Sequence, residues 1–337
     1  MPHSHSHAQG HTPVVIALLG NVVVTVIKSL AAGASGSSVM FSEAVHSLAD
    51  SLNQLLLLIG LRRSTKIADE SHEYGYGIER FFFGLISACG IFFIGAGVNA
   101  VHGFEALLHP EEIVIQPMVF VVLAVAAAIE SYAFYVAAHE LGIHYPKLGW
   151  RERIKRADSS TLAVLLEDGV AVLGVLIAAG SITLAAATGD GRWDAAGSLV
   201  IAALLGVVAV VLIQKNRSYV IGRAMPEEMR DEVLEILNAE PSIEKVTEFR
   251  SSEIGFCVYC IKCDVEFNGS ALARELFEDW SVAEQFEEAR ESEESFKRAM
   301  IDSLDRIPRL IGKRIDAIET RVRERFPEIK HIDIEIN

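Results

Sequence analysis

Long runs of apolar residues fill the chain as far as about residue 213, and polarity becomes mixed after that point. Six runs stand out, at about 14–32, 39–61, 81–107, 113–138, 162–187 and 195–213. Each reaches the roughly 20 residues that a helix needs to cross a bilayer core. The pattern therefore predicts six transmembrane helices. Beyond them it becomes that of a soluble unit: an amphipathic helix over 226–238, strand-like alternation at 243–250 and 256–267, and a highly charged helical stretch over 271–298. A long helix on to Arg325 follows, then a strand at 329–336 in which isoleucine recurs at every second position or so. Helix, two strands, helix and strand make a small α+β sandwich. The expected division is a tail of 1–12, a six-helix membrane domain of 13–215, and an α+β domain of 216–337 with a charged helical insertion at about 271–300.

The loops sort by sign. Arg62, Arg63 and Lys66 follow the second run, Lys147, Arg151, Arg153, Lys155 and Arg156 the fourth, and Lys215, Arg217 and Arg223 the sixth. The loops after runs one, three and five carry Gly33–Ser38, the acidic His109-Pro110-Glu111-Glu112, and a stretch with the single Arg192. Positive loops stay on the cytoplasmic side, so both termini are expected in the cytoplasm. The short loops and the lack of an evident leader point to a bacterial inner membrane.

Composition sharpens this picture. Mean hydropathy is +0.32, yet 45 acids and 30 bases give a net charge of -15. Most of those charges lie in the soluble part, and the bases are interleaved with acids. A nucleic-acid partner needs a clustered basic surface and is excluded. Four cysteines without a secreted framework fit a reducing compartment. No nucleophile–base set or phosphate-cradling loop points to an enzyme.

Ionisable groups at membrane depth are costly, so each needs a reason. The second run carries Glu43, His46 and Asp50. At about 100° per residue these positions share one helix face, with His46 and Asp50 one turn apart and able to hold one ion together. Imidazole nitrogen and carboxylate oxygen suit zinc or another first-row divalent ion. Glu167 and Asp168 of the fifth run can complete a tetrahedral shell. Glu43 is either a further ligand or a group facing the outer water. Asn21, Asn53, Asn99 and Ser131 are expected to hydrogen-bond helices together, Glu130 to pack helices or relay protons, and Lys28 to snorkel to the interface.

Beyond these individual groups, whole motifs match. The stretch Ser42-Glu43-Ala44-Val45-His46-Ser47-Leu48-Ala49-Asp50 resembles the cation diffusion facilitator family, zinc transporter group. The same resemblance is carried by His72-Glu73-Tyr74-Gly75-Tyr76-Gly77-Ile78-Glu79-Arg80, Asp168, Trp193-Asp194-Ala195-Ala196-Gly197 and the tail ending Phe326-Pro327-Glu328-Ile329-Lys330-His331. The Leu-Glu-Asp pattern is most similar to the branch that contains a mitochondrial-type zinc transporter. The resemblance implies six membrane helices with a cytosolic ferredoxin- or metallochaperone-like domain, a homodimer in the bilayer, and export of divalent metal, Zn2+ first, in exchange for protons by alternating access. A membrane-anchored metal sensor or scaffold is the rival reading, and manganese, iron or cobalt the rival cargo. One position departs from the family: Val164 stands where a ligand usually precedes the fifth-span Asp by one turn. Glu167 is the nearest substitute, rotated by about 100° from Asp168.

Weaker metal signals are His3, His5, His7 and His11 in the tail, Asp69 and His72 in the loop after the second run, Cys257, Cys260 and Cys263, and His331. Tyr76 occupies a position where a third ligand often sits in the family, which favours a structural loop there. On a strand Cys260 points away from the other two cysteines.

Overall fold

The computed structural model describes residues 11–110, 117–144, 146, 149–156, 159–278 and 282–337. His3, His5, His7, Glu111, Glu112 and Lys147 lie outside the described residues, as does the start of the fourth apolar run. Two compact units divide the chain, Met1–Ile221 and Gly222–Asn337.

The first unit is helical: α1 (His11–Ser35), α2 (Ser38–Ser64), α3 (Glu79–Gly90), a π-helical segment (Ile91–Val98), α4 (Asn99–Leu108), α5 (Pro117–His144), the short α6 (Trp150–Arg156), α7 (Ser159–Thr188) and α8 (Arg192–Val220). Helix α3, the π segment and α4 run on as one span, Glu79–Leu108. Among the described residues five helices are long and apolar enough to cross a membrane, and Gly20–Ser35 of α1 is a further apolar stretch. The sixth apolar run extends at both ends into α8, because Asp194 caps a neighbouring helix at one end and Asn216 and Tyr219 are buried at the other.

Helix α2 is central and packs against α1, α3, α7 and α8. Its start is held from two sides. Ser37 is its N-cap, accepting from the Met40 N–H. Asp194 of α8 accepts from Ser37 Oγ at 2.6 Å, Ser38 N at 2.5 Å and Val39 N at 3.2 Å. A carboxylate there satisfies N–H groups that have no intrahelical partner and faces the positive end of the helix dipole. The α1–α2 turn passes through Gly36 at φ 64°, a conformation that favours glycine. Small residues let the helices close up: Gly60 lies against Phe83 and Gly84 against Asn216.

The second unit contains α9 (Glu227–Asn238), β1 (Ile243–Gly255), β2 (Val258–Phe267), α10 (Gly269–Glu278), α11 (Val282–Ala289), α12 (Glu293–Arg325) and β3 (Ile329–Ile336). Strand order is β1-β2-β3, β1/β2 antiparallel and β2/β3 parallel. Val233, Leu237, Ile261, Cys263, Val265, Ile318, Val322 and Ile329 form its core. Two expectations shift here. Strand β1 continues past Arg250, because Ser251 and Ser252 pair with Ile261 and Cys260 although they read as loop residues. Within the charged stretch α11 ends at Ala289 and α12 begins at Glu293, so its end is continuous with the long helix to Arg325. Cys257 takes φ 52° in the hairpin between β1 and β2.

Candidate metal site

His46 and Asp50 lie one turn apart on α2, with His46 Nε2 3.0 Å from Asp50 Oδ2. Two tetrahedral zinc ligands at about 2.0–2.1 Å from the ion stand roughly 3.3 Å from each other, so this spacing already resembles an edge of a coordination shell. His46 is wholly buried, and neither of its ring nitrogens has a hydrogen bond of good geometry among the described residues. A buried imidazole this close to a carboxylate can hold a cation together with it.

Helix α7 brings the second pair. Asp168 interacts electrostatically with Asp50, Glu130 and His46, and Glu167 with Asp50 and Asp168. Asp168 Oδ2 and Glu167 Oε1 are buried without a partner among the described residues. The other Glu167 oxygen accepts from Asn53 Nδ2, and Asn53 Oδ1 in turn accepts from Ser87 Oγ, a chain crossing α7, α2 and α3. Val164 packs with Ala137, Leu141, Leu162 and Leu165, so the position one turn before Asp168 serves the α5–α7 contact. Among the described residues no three His, Cys, Asp or Glu side chains yet converge on one point at metal-ligand distance. The groups are two pairs on two helices that pack together, α2 and α7.

Two expectations need correction. Lys28 does not snorkel: it is 0% exposed, with Nζ 2.8 Å from Glu43 Oε2 and 2.6 Å from Glu130 Oε1. The reason is that α2 and α5 each turn a carboxylate towards it, and a paired ammonium needs no water. Glu43 accordingly faces no outer water but is wholly buried against Lys28. Glu130 is the third member of this triad. The sign that points to such a triad is the presence of two membrane acids, Glu43 and Glu130, beyond those a four-donor shell requires. Of the helix-bridging polar groups, Asn53 acts as described and Asn99 Nδ2 donates to the Ser42 carbonyl, whereas Ser131 is exposed.

The weaker sites resolve differently. In the loop after α2, Asp69 Oδ2 accepts from Lys66 Nζ at 2.7 Å and from Tyr76 Oη at 2.8 Å, and Oδ1 accepts from the Ser71 and His72 N–H groups. These bonds, the Lys66 ammonium first, hold the Asp69 carboxyl well below the usual carboxylate range. The loop is closed on itself. Cys263 lies in the sheet core, and burial pushes its thiol up to about 12. Cys260 projects from the opposite face, where its cross-strand neighbour is His331, while Cys257 sits exposed at the hairpin.

A family model described as the cation efflux transmembrane domain matches residues 14–221. The chain belongs to the cation efflux family, the cation diffusion facilitators. This cation efflux protein is an integral membrane protein with a small C-terminal sheet domain. It is 34% identical over 328 residues to the mitochondrial proton-coupled zinc antiporter SLC30A9 of Homo sapiens, covering 96% of this chain and 58% of the relative. To Metal tolerance protein C4 of Arabidopsis thaliana it is 34% identical over 332 residues, covering 96% of this chain and 72% of that one. A shorter match, 32% identical over 93 residues, joins 28% of this chain to 29% of the magnetosome protein MamM of Magnetospirillum gryphiswaldense. The chain thus spans 58% of the length of the SLC30A9 relative it matches.

Proposed function

We propose that this chain is a proton-coupled divalent-metal efflux transporter, with zinc as its favoured substrate. The observation that carries the reading is the pair His46–Asp50, at 3.0 Å and in the interior of the helical unit, facing Glu167 and Asp168 of the neighbouring span. An anchor has no use for such groups, whereas a carrier must strip water from its ion and replace it with protein ligands. Neutral imidazole binds metal and imidazolium repels it, so protons and metal compete for His46 near neutral pH. A proton gradient can then drive exchange. Movement of α7 relative to α2 makes and breaks the shell, exposing the ion to each side in turn.

Zinc is favoured by the imidazole and by the likeness to the SLC30A9 relatives, which are named as zinc antiporters. With Val164 in place of a second ligand on α7, the donor set is rich in oxygen, and this favours manganese, iron or cobalt as the second reading. The charges of its short loops favour both termini on the cytoplasmic side of the membrane. The names of the SLC30A9 relatives put those proteins in mitochondria. A homodimer is the assembly we expect, from family resemblance.

The test is metal uptake into proteoliposomes carrying a pH gradient, with zinc, manganese, iron and cobalt compared for the native chain, Asp50→Ala and Asp168→Ala. Gradient-driven flux that falls to the protein-free leak in both variants is the expected result. Flux that survives both substitutions places the ion path elsewhere, and no flux of any ion through folded native protein turns the reading towards a membrane-anchored sensor.

A further inference from the structure

Lys28 lies in the interior of the membrane unit, 0% exposed, and binds two carboxylates from two other helices, Glu43 of α2 and Glu130 of α5. Glu43 precedes His46 by three residues, so the two side chains share a helix face. Both Glu43 and Lys28 interact electrostatically with His46. Only one Glu43 oxygen is engaged: Oε2 accepts from Lys28, while Oε1 is buried with no partner among the described residues. Oε1 lies against Gly174 of α7, where an added Cβ would collide with it. The Glu43 carboxylate is therefore beside the ion pair, half unbonded, and held away by an ammonium from another helix.

The consequence concerns coordination number. His46, Asp50 and the two acids of α7 offer four donors when each carboxylate binds through one oxygen, the number that tetrahedral zinc takes. Manganese prefers six donors, mostly oxygen. Glu43 released from Lys28 would supply up to two further oxygens on the same helix face as His46. We propose that Lys28 is a specificity-determining positioning residue: its ammonium retains Glu43 outside the coordination shell, keeping that shell four-donor and zinc-selective.

This inference rests on the proposed ion site. Its test uses two double variants that each remove one positive and one negative charge and leave one buried carboxylate. Lys28→Met/Glu130→Gln frees Glu43, whereas Lys28→Met/Glu43→Gln removes it. The full chain in nanodiscs is titrated with zinc and with manganese, and the visible spectrum of bound Co2+ reports coordination number, intense for four-coordinate and weak for six-coordinate ion. The variant that keeps Glu43 is expected to lose about ten- to a hundredfold in zinc-over-manganese preference, the range typical when a group that positions metal ligands is changed, with a weakened Co2+ spectrum. The variant that lacks Glu43 is expected to keep the native preference and spectrum, as is Lys28→Arg, whose guanidinium can still hold both acids. If the methionine variants misfold, Lys28→Gln, which keeps a donor without the charge, is expected to shift preference in the same direction as the first. Equal behaviour of the two double variants, or unchanged selectivity in Lys28→Gln, overturns the inference alone. Absence of metal binding by the native chain overturns the ion site and the inference together.

Discussion

Side chains of the same type meet different fates in this chain, and three cysteines illustrate it. Cys257 is exposed at the hairpin, Cys260 is half-buried and Cys263 is in the core with its thiol pushed up to about 12. Only thiolate reacts readily, so alkylation of the folded chain at pH 8 should modify Cys257 first and leave Cys263 intact, as read by mass spectrometry of peptides; early labelling of Cys263 would contradict its place in the core. Asp69 offers a pH test. Its folded value lies below that of an unfolded Asp near 3.9, so its contribution to loop structure is fully present above about pH 4 and is lost only as pH falls through the lower folded value. The Asp69 carboxyl 13C shift should titrate well below a reference aspartate, and a midpoint near 4 would mean that the Lys66 and Tyr76 bonds do not persist in solution. The pair His46–Asp50 is legible in the sequence because four residues on a helix are a local relation. Lys28–Glu130 is not, since 102 positions separate them and only packing brings α1 to α5.

At the scale of elements, apolar run length is a sufficient guide to the spans, because a bilayer sets one length for all of them. What run length does not carry is hydrogen-bond register: the π segment Ile91–Val98 is as apolar as its neighbours and differs only in backbone pairing. Its Gly95 packs towards Ala49 of α2 and Leu205 of α8. Strand β1 was underestimated for a related reason, since serines pair as well as valines once a partner strand is present. The Asp194 cap at the start of α2 joins positions 156 apart in sequence and is equally invisible to local pattern. Asp194→Asn keeps shape and removes charge, and should destabilise the helical unit by about 1 kcal/mol, measured as a lowered thermal midpoint in detergent. Asn53→Leu leaves Glu167 without its donor and should cost about 1–3 kcal/mol in the same assay. A native-like midpoint for Asn53→Leu would show that Asn53 does not hold Glu167 in the membrane.

At the scale of the molecule, the separation into a helical membrane part and a sheet-containing tail is readable from polarity alone, because lipid and water demand different surfaces. Among the described residues of the helical unit, six acidic and basic side chains are buried, Lys28, Glu43, His46, Glu130, Glu167 and Asp194, and their burial is intelligible only in three dimensions. Each either pairs with another, as in the Lys28 triad, or caps a helix, as Asp194 does, or belongs to the candidate site on α2 and α7. The proposed cargo then supplies positive charge that His46, Asp50, Glu167 and Asp168 lack when His46 is neutral. Metal held by the tail instead would use sulfur from Cys257 or Cys260, so the two locations differ in their donor atoms. The decisive measurement is X-ray absorption at the zinc edge of the zinc-loaded full chain. A shell of nitrogen and oxygen at about 2.0–2.1 Å, with imidazole scattering that disappears in His46→Ala, is the expected result. A sulfur shell at about 2.3 Å, or imidazole scattering that survives His46→Ala, would contradict an ion site on α2.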